Sequence, residues 1–196
     1  MSDKEILPKA AYLTFDDGPN EPYTSQILDI LKEFQIKASF FVCGKNVEYY
    51  PETTRKIVSE GHVIGNHSFF HSRFLSFTGF LAKEIEKTDE IIFKTTERKT
   101  KLFRPPWGVV TPWLKNYLKE NDYKLFLWDI APWDWIKSSP EKISKRVLDK
   151  IKPNNIILLH DGNRTCHNSD RSWTTKALPS IIIEGENRGF NFKTLD

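Results

Sequence analysis

Cysteine is nearly absent from this chain: two in 196 residues, Cys43 and Cys166, far apart in sequence. They form no C-x-x-C metal or redox motif, and either two free thiols or one long-range bridge fits that spacing. No stretch is long and apolar enough to span a membrane, and neither a low-complexity tract nor an internal repeat is present. A strong net charge is missing too, the formal value being +3. The densest basic stretch, "KTTERKT" at 94–100 followed by Lys101, reads as a solvated connection. No DNA- or RNA-binding motif accompanies it, so no nucleic-acid partner is expected. The first ten residues, "MSDKEILPKA", lack the apolar core of a secretory signal. Two expectations stand: a protein that stays inside the cell, or one whose leader or anchor lies outside this sequence. The N-terminal half also lacks tryptophan. All six, Trp107, Trp113, Trp128, Trp133, Trp135 and Trp173, follow it, and several are expected to wall a sugar-binding cleft while others pack in the core.

What is present is an ordinary globular composition, 39% hydrophobic and 28% charged. The length suits one domain, residues 1–196, with a sizeable core. Short apolar or β-branched runs predict strands at Ala11–Phe15, Ala38–Cys43, His62–Gly65, Leu102–Arg104, Leu125–Ile130, Asn155–His160 and Phe190–Leu195. Helix-period segments lie between them. In "SQILDILKEF", Ile27, Ile30, Leu31 and Phe34 share a face and Ser25 is a candidate N-cap. Further helices are predicted at Val47–Glu60, Gly79–Thr95, Thr111–Asn121, Glu141–Ile151 and Thr174–Arg188, with Pro112 and Pro140 in first turns, where proline is tolerated. Seven strands alternating with six helices predict an α/β domain with a mainly parallel sheet, either open or closed into a barrel. In both cases functional residues gather at the C-terminal ends of strands. Asp16 and Asp17, His67, Arg104 and His160 all fall there.

"TFDDGP" places two carboxylates side by side before a Gly-Pro breaker, and "GHVIGNHSFFHSRF" places His67 and His71 at i, i+4. A helical turn or a tight loop brings both imidazoles to one side. Two histidines and a carboxylate make a three-ligand site for a catalytic metal, and either aspartate can supply the carboxylate. H-x-x-x-H alone recurs by chance on surfaces; beside a double aspartate at a strand end, the metal is the better reading.

"TFDDGP", "HSFFH", "RPPWG", "DIAPWDW" and "LLHDG", in this order, resemble the five motifs of the polysaccharide deacetylase family, carbohydrate esterase family 4 or NodB-homology domain. With the closing "TKALPSIIIEGENRGFNFKTL", the likeness covers nearly the whole chain. The resemblance implies a distorted (β/α) barrel of about seven parallel strands. It also implies a monomeric hydrolase that removes N-acetyl groups from N-acetylglucosamine-containing glycans and releases acetate. Asp17, His67 and His71 are then the ligands of one divalent cation, zinc first, with cobalt or ferrous iron also suited to them. Asp16 is the general base, and Arg104 keeps it ionised and oriented. Pro106 lines the substrate site, and the backbone N–H of Trp107 after it steadies the oxyanion, in a place where the family often has tyrosine. His160 protonates the leaving amine and Asp134 orients it and raises its pKa. Trp135 walls the cleft and Leu158 meets the acetyl methyl. His62 is expected to be structural, and His167 a contact at the substrate rim. The family usually acts outside the cytoplasm, in tension with the missing leader. An O-acetyl esterase on acetylated xylan and a sugar-binding module without turnover are the alternatives.

Overall fold

Alternating burial along the first strand sets the architecture. In the computed structural model, which describes residues 9–196, β1 (Lys9–Asp16) sends Leu13 and Phe15 into a helix-covered core. Thr14 and Asp16 point the other way, toward the inside of the sheet's curl. Residues 1–8, most of the stretch without a signal-like core, lie outside the described part.

Six more strands follow: β2 (Ser39–Val42), β3 (Val63–Asn66), β4 (Leu102–Phe103), β5 (Lys124–Leu125), β6 (Ile156–His160) and β7 (Phe190–Lys193). Every pairing is parallel, in the order β5-β4-β3-β2-β1-β6, with β7 against the first half of β1. The helices are α1 (Tyr23–Glu33), α2 (Gly44–Tyr49), α3 (Pro51–Ser59), α4 (Leu81–Thr96), α5 (Pro112–Glu120), α6 (Pro140–Leu148) and α7 (Ser172–Asn187). Ile27, Leu28 and Leu31 of α1 and Leu178, Ile181 and Ile182 of α7 join Leu13 and Phe15 in the main core. Each such fully buried side chain stabilises the fold by about 1.5–3 kcal/mol. Among the described residues no helix is long and apolar enough to cross a membrane.

Several expectations are corrected. The helix predicted over Val47–Glu60 is two, α2 and α3, because Pro51 has no N–H to continue the ladder and pushes Tyr50 out of the helical region (ψ 59°). Ser25 is no N-cap: α1 begins earlier, at Tyr23, and the Ser25 hydroxyl donates to Glu21 Oε1 at 2.8 Å. The strand predicted over Leu125–Ile130 is cut to Lys124–Leu125. Beyond it the chain crosses to β6, meeting it at the single bridge Ile130–Ile157. The carbonyls of Phe126 and Leu127 are turned to the Arg104 guanidinium, Nε at 3.4 Å and Nη2 at 3.0 Å, so a buried side chain replaces a strand ladder. The sheet is therefore a curled, incompletely closed barrel. Both cysteines are free, Cys43 buried and Cys166 exposed.

Candidate active site

Strand register brings distant residues together. Asp16 pairs with His160 across β1 and β6, and Asn66 pairs with Phe103 across β3 and β4, which sets His67 beside Arg104. The chain turns sharply at Asp17, whose φ of +74° lies in the left-handed region. Two more left-handed residues, Ser68 (φ +63°) and His71 (φ +53°), make the H-x-x-x-H segment a tight loop rather than a helical turn. Side chains hold that loop: Asn66 Oδ1 accepts from Ser68 N–H at 2.8 Å, and Glu84 Oε2 from Phe70 N–H at 2.7 Å.

Asp17 Oδ1 lies 3.3 Å from His71 Nε2 and 3.5 Å from His67 Nε2, and all three residues are buried. His67 Nδ1–H donates to the Arg104 carbonyl at 2.7 Å, which leaves a bare lone pair on Nε2. Burial pushes the His71 pKa down to about 4 against the pull of Asp17, so this ring is neutral at ordinary pH. Burial also opposes ionisation of Asp17, yet His71, His160 and His67 outweigh it and, with the Arg164 N–H, hold its pKa at about 2. Its Oδ2 accepts from Arg164 N–H at 2.7 Å, while Oδ1 has no hydrogen-bond partner among the described residues. Two imidazoles and a carboxylate thus bring one possible ligand atom each within 4.8 Å of one another, a set that suits a divalent cation.

Asp16 belongs to a different network. Its Oδ1 accepts from Arg104 Nη1 at 2.7 Å, and Oδ2 faces the cavity, 3.6 Å from His67 Nε2. Arg104 is fully buried, also donates to Thr14 Oγ1 at 2.8 Å, and lies 4.1 Å from the Phe41 ring centroid. Across the cavity, His160 Nδ1–H donates to Asp134 Oδ1 at 2.8 Å, leaving Nε2 for the cavity. Asp134 Oδ2 accepts from the His160 N–H at 2.7 Å and from Thr174 Oγ1 at 3.0 Å. The Trp173 indole N–H binds the Asp134 carbonyl at 2.6 Å. Burial disfavours the imidazolium, but Asp134, followed by Asp17 and Asp16, raises the His160 pKa to about 9.

The polysaccharide deacetylase family model matches residues 3–126. The chain belongs to the polysaccharide deacetylase family. PdaC of Bacillus subtilis, a peptidoglycan-N-acetylmuramic acid deacetylase, is 40% identical over 188 residues. That match covers 95% of this chain but 38% of PdaC, so the chain spans well under half of that relative. A peptidoglycan-N-acetylglucosamine deacetylase of Bacillus cereus is 33% identical over 189 residues, covering 95% of this chain and 86% of the relative. The crystal structure of the Bc1960 peptidoglycan N-acetylglucosamine deacetylase superposes with a TM-score of 0.89 at 32% identity, covering 95% of this chain and 86% of that one.

In this deacetylase fold Asp16, Asp17, His67, His71 and His160 line one cavity of about 290 Å³. Trp107, Trp128, Trp135 and Leu158 supply its apolar walls. That is the small end of the range for ligand sites and suits a short substituent reached through an open mouth. Arg104 and Asp134 stand behind Asp16 and His160 rather than on the wall. Trp135 packs edge-on to His160, with centroids 5.5 Å apart. Of the two prolines in "RPPWG", Pro105 lines the cavity; Pro106, expected there, is buried at the start of the 3-10 turn Pro106–Gly108 that presents Trp107. His62 is internal, its Nδ1 accepting from Ala38 N–H at 3.1 Å. His167 is stacked on Tyr49, with centroids 3.7 Å apart.

Sequence reasoning missed Thr174, Trp173, Asn46 and Arg164. Asn46 Nδ2 donates at 2.7 Å to both the Asp17 and Arg164 carbonyls, tying the two loops together. For Thr174 and Asn46 the sequence carried no signal, because their partners lie 40 and 29 positions away. Arg164 stands four residues after His160, and that proximity was a usable hint.

Proposed function

We propose that this chain is a metal-dependent hydrolase that removes N-acetyl groups from aminosugar units of a glycan, releasing acetate. The observation that carries this reading is the pairing on either side of Asp17, His67 and His71: Asp16 on Arg104, and His160 on Asp134. A base and an acid with separate buried partners match the two proton transfers of amide hydrolysis. Family membership supports the reaction class, and the two relatives named above suggest peptidoglycan, whether through N-acetylmuramic acid or N-acetylglucosamine units.

Asp17, His67 and His71 would hold the cation, and zinc fits their one-carboxylate, two-imidazole set. When bound, it supplies Lewis acidity that polarises the acetyl carbonyl and acidifies water. Asp16 takes the proton of the attacking water through Oδ2, since Oδ1 is held by Arg104. The Trp107 N–H donates to the oxygen on which charge develops. His160 delivers the Nε2 proton to the departing nitrogen while Asp134 fixes its tautomer. Leu158 and Trp135 border the acetyl group and exclude water.

Acetate release from peptidoglycan, chitooligosaccharides and acetylxylan, with bound metal quantified in parallel, tests this. Asp16→Asn should retain its metal and lose acetate release from the amide substrates. An active Asp16→Asn enzyme removes the base assignment, and a clear preference for acetylxylan replaces amide hydrolysis with ester hydrolysis.

A further inference from the structure

Trp107 stands half-exposed at the cavity mouth with two guanidinium groups by its ring. Arg164 Cζ lies 4.8 Å from the ring centroid and Arg73 Cζ lies 5.8 Å from it. Both distances are within the ~6 Å range of cation–π attraction. The two arginines come from separate loops. Arg73 follows His71 by two residues, and Arg164 is held by its own backbone, its N–H on Asp17 Oδ2 and its carbonyl on Asn46.

Neither guanidinium has a carboxylate within 4.0 Å or a side-chain hydrogen bond among the described residues. Arg146, Arg171 and Arg188, by contrast, each donate to a backbone carbonyl. An indole face orients a guanidinium without using its N–H groups, so both forks remain free for a ligand. Two cations drawn to one aromatic ring also repel each other, and an anion between or beside them relieves that. Such forks match planar oxyanions, while the exposed indole offers a flat surface to a sugar ring.

Building on the deacetylase reading, we infer that Arg73, Arg164 and Trp107 form a carboxylate-binding subsite at the mouth of the cavity. Its ligand is an acidic substituent, such as a lactyl ether, on the N-acetylated sugar or on the unit next to it. The subsite makes this chain selective for acidic over neutral N-acetylated glycans.

The test uses a peptide-free glycan of alternating N-acetylglucosamine and N-acetylmuramic acid, offered with free carboxylates or with the same carboxylates converted to methylamides. The zinc-loaded protein should show kcat/KM for acetate release about tenfold higher on the acid form at low salt, and this ratio should shrink as salt rises. In Arg73→Gln/Arg164→Gln the ratio falls to about one, whatever happens to either rate alone, and Arg73→Lys/Arg164→Lys regains part of it. Binding of both glycans is also measured on Asp16→Asn protein. If no substrate releases acetate, the deacetylase reading fails, yet the affinity ratio still decides the subsite. A wild-type ratio near one, or a ratio that the double glutamine variant leaves unchanged, overturns the proposal.

Discussion

Asp16 and Asp17 are consecutive residues whose carboxylates belong to different networks, because the backbone leaves the extended region between them. Asp16 ends β1 with its side chain on Arg104, while Asp17, at φ +74°, turns its own to His67 and His71. The repulsion between neighbouring anions is offset by a guanidinium on one side and would be offset on the other by the cation that Asp17, His67 and His71 would hold. Two adjacent acids can therefore be tested as two separate devices.

If Asp17 belongs to the proposed ligand set, removing its carboxylate should cost the metal. Asp17→Ala is expected to weaken zinc affinity by more than the ~10–100-fold typical of losing a residue that merely orients a ligand. Competition with a chromophoric chelator measures this. Unchanged affinity would remove Asp17 from the site.

Arg104 is wholly buried, and its loss strands a buried carboxylate. Arg104→Met should lower unfolding free energy by about 3–5 kcal/mol in urea titrations. Adding Asp16→Asn, which removes the stranded charge, should recover part of that loss. Equal stability of the single and double variants would show that Asp16 does not set the cost.

The pH profile follows from His160. Its folded pKa of about 9 lies above the ordinary value, so the proton-donating form persists at neutral pH and is lost as pH rises through about 9. The associated stabilisation has the same sign: it is complete below the unfolded pKa of ~6.5 and disappears on rising through the folded one. Asp134→Asn removes the main source of that rise. The alkaline limb of kcat/KM should then move down by more than a pH unit, with lower rates at pH 8.

Gly18 carries no side chain because Asp161 occupies the space. A Cβ built there would sit 1.9 Å from Asp161 Oδ2, on a buried carboxyl that also accepts from Thr24 Oγ1 at 2.7 Å. Gly18→Ala should cost roughly 1–3 kcal/mol through overpacking, and Gly18→Ala/Asp161→Ser should lose less than Gly18→Ala alone. Thermal denaturation of both variants checks the order.

Much of the fold was legible because alternating and helical periods are local properties. Six of the seven strands and the first turns at Pro112 and Pro140 lie where the pattern puts them, and Pro51 could have been read as the break between α2 and α3. The strand after Leu125 could not be judged from its own residues. Its apolar run favours a ladder, and only the distant Arg104 guanidinium takes its carbonyls instead. Among the candidate site residues, those in motifs were visible as residue types at strand ends. Thr174, Trp173 and Asn46 were invisible, since an ordinary threonine, tryptophan or asparagine becomes a partner only when folding brings its acceptor within reach.

By itself, the sequence determined the α/β class, the family and the cluster of chemistry at strand ends, because each rests on residue identity and spacing along the chain. Tertiary structure decided that the curled sheet stays incompletely closed, with a single bridge at Ile130–Ile157, that the two histidines share a left-handed loop, and that Asp16 and Asp17 diverge. It also decided that two arginines from separate loops meet at one tryptophan. These depend on backbone torsions and on contacts between positions dozens of residues apart, which spacing along a chain does not encode.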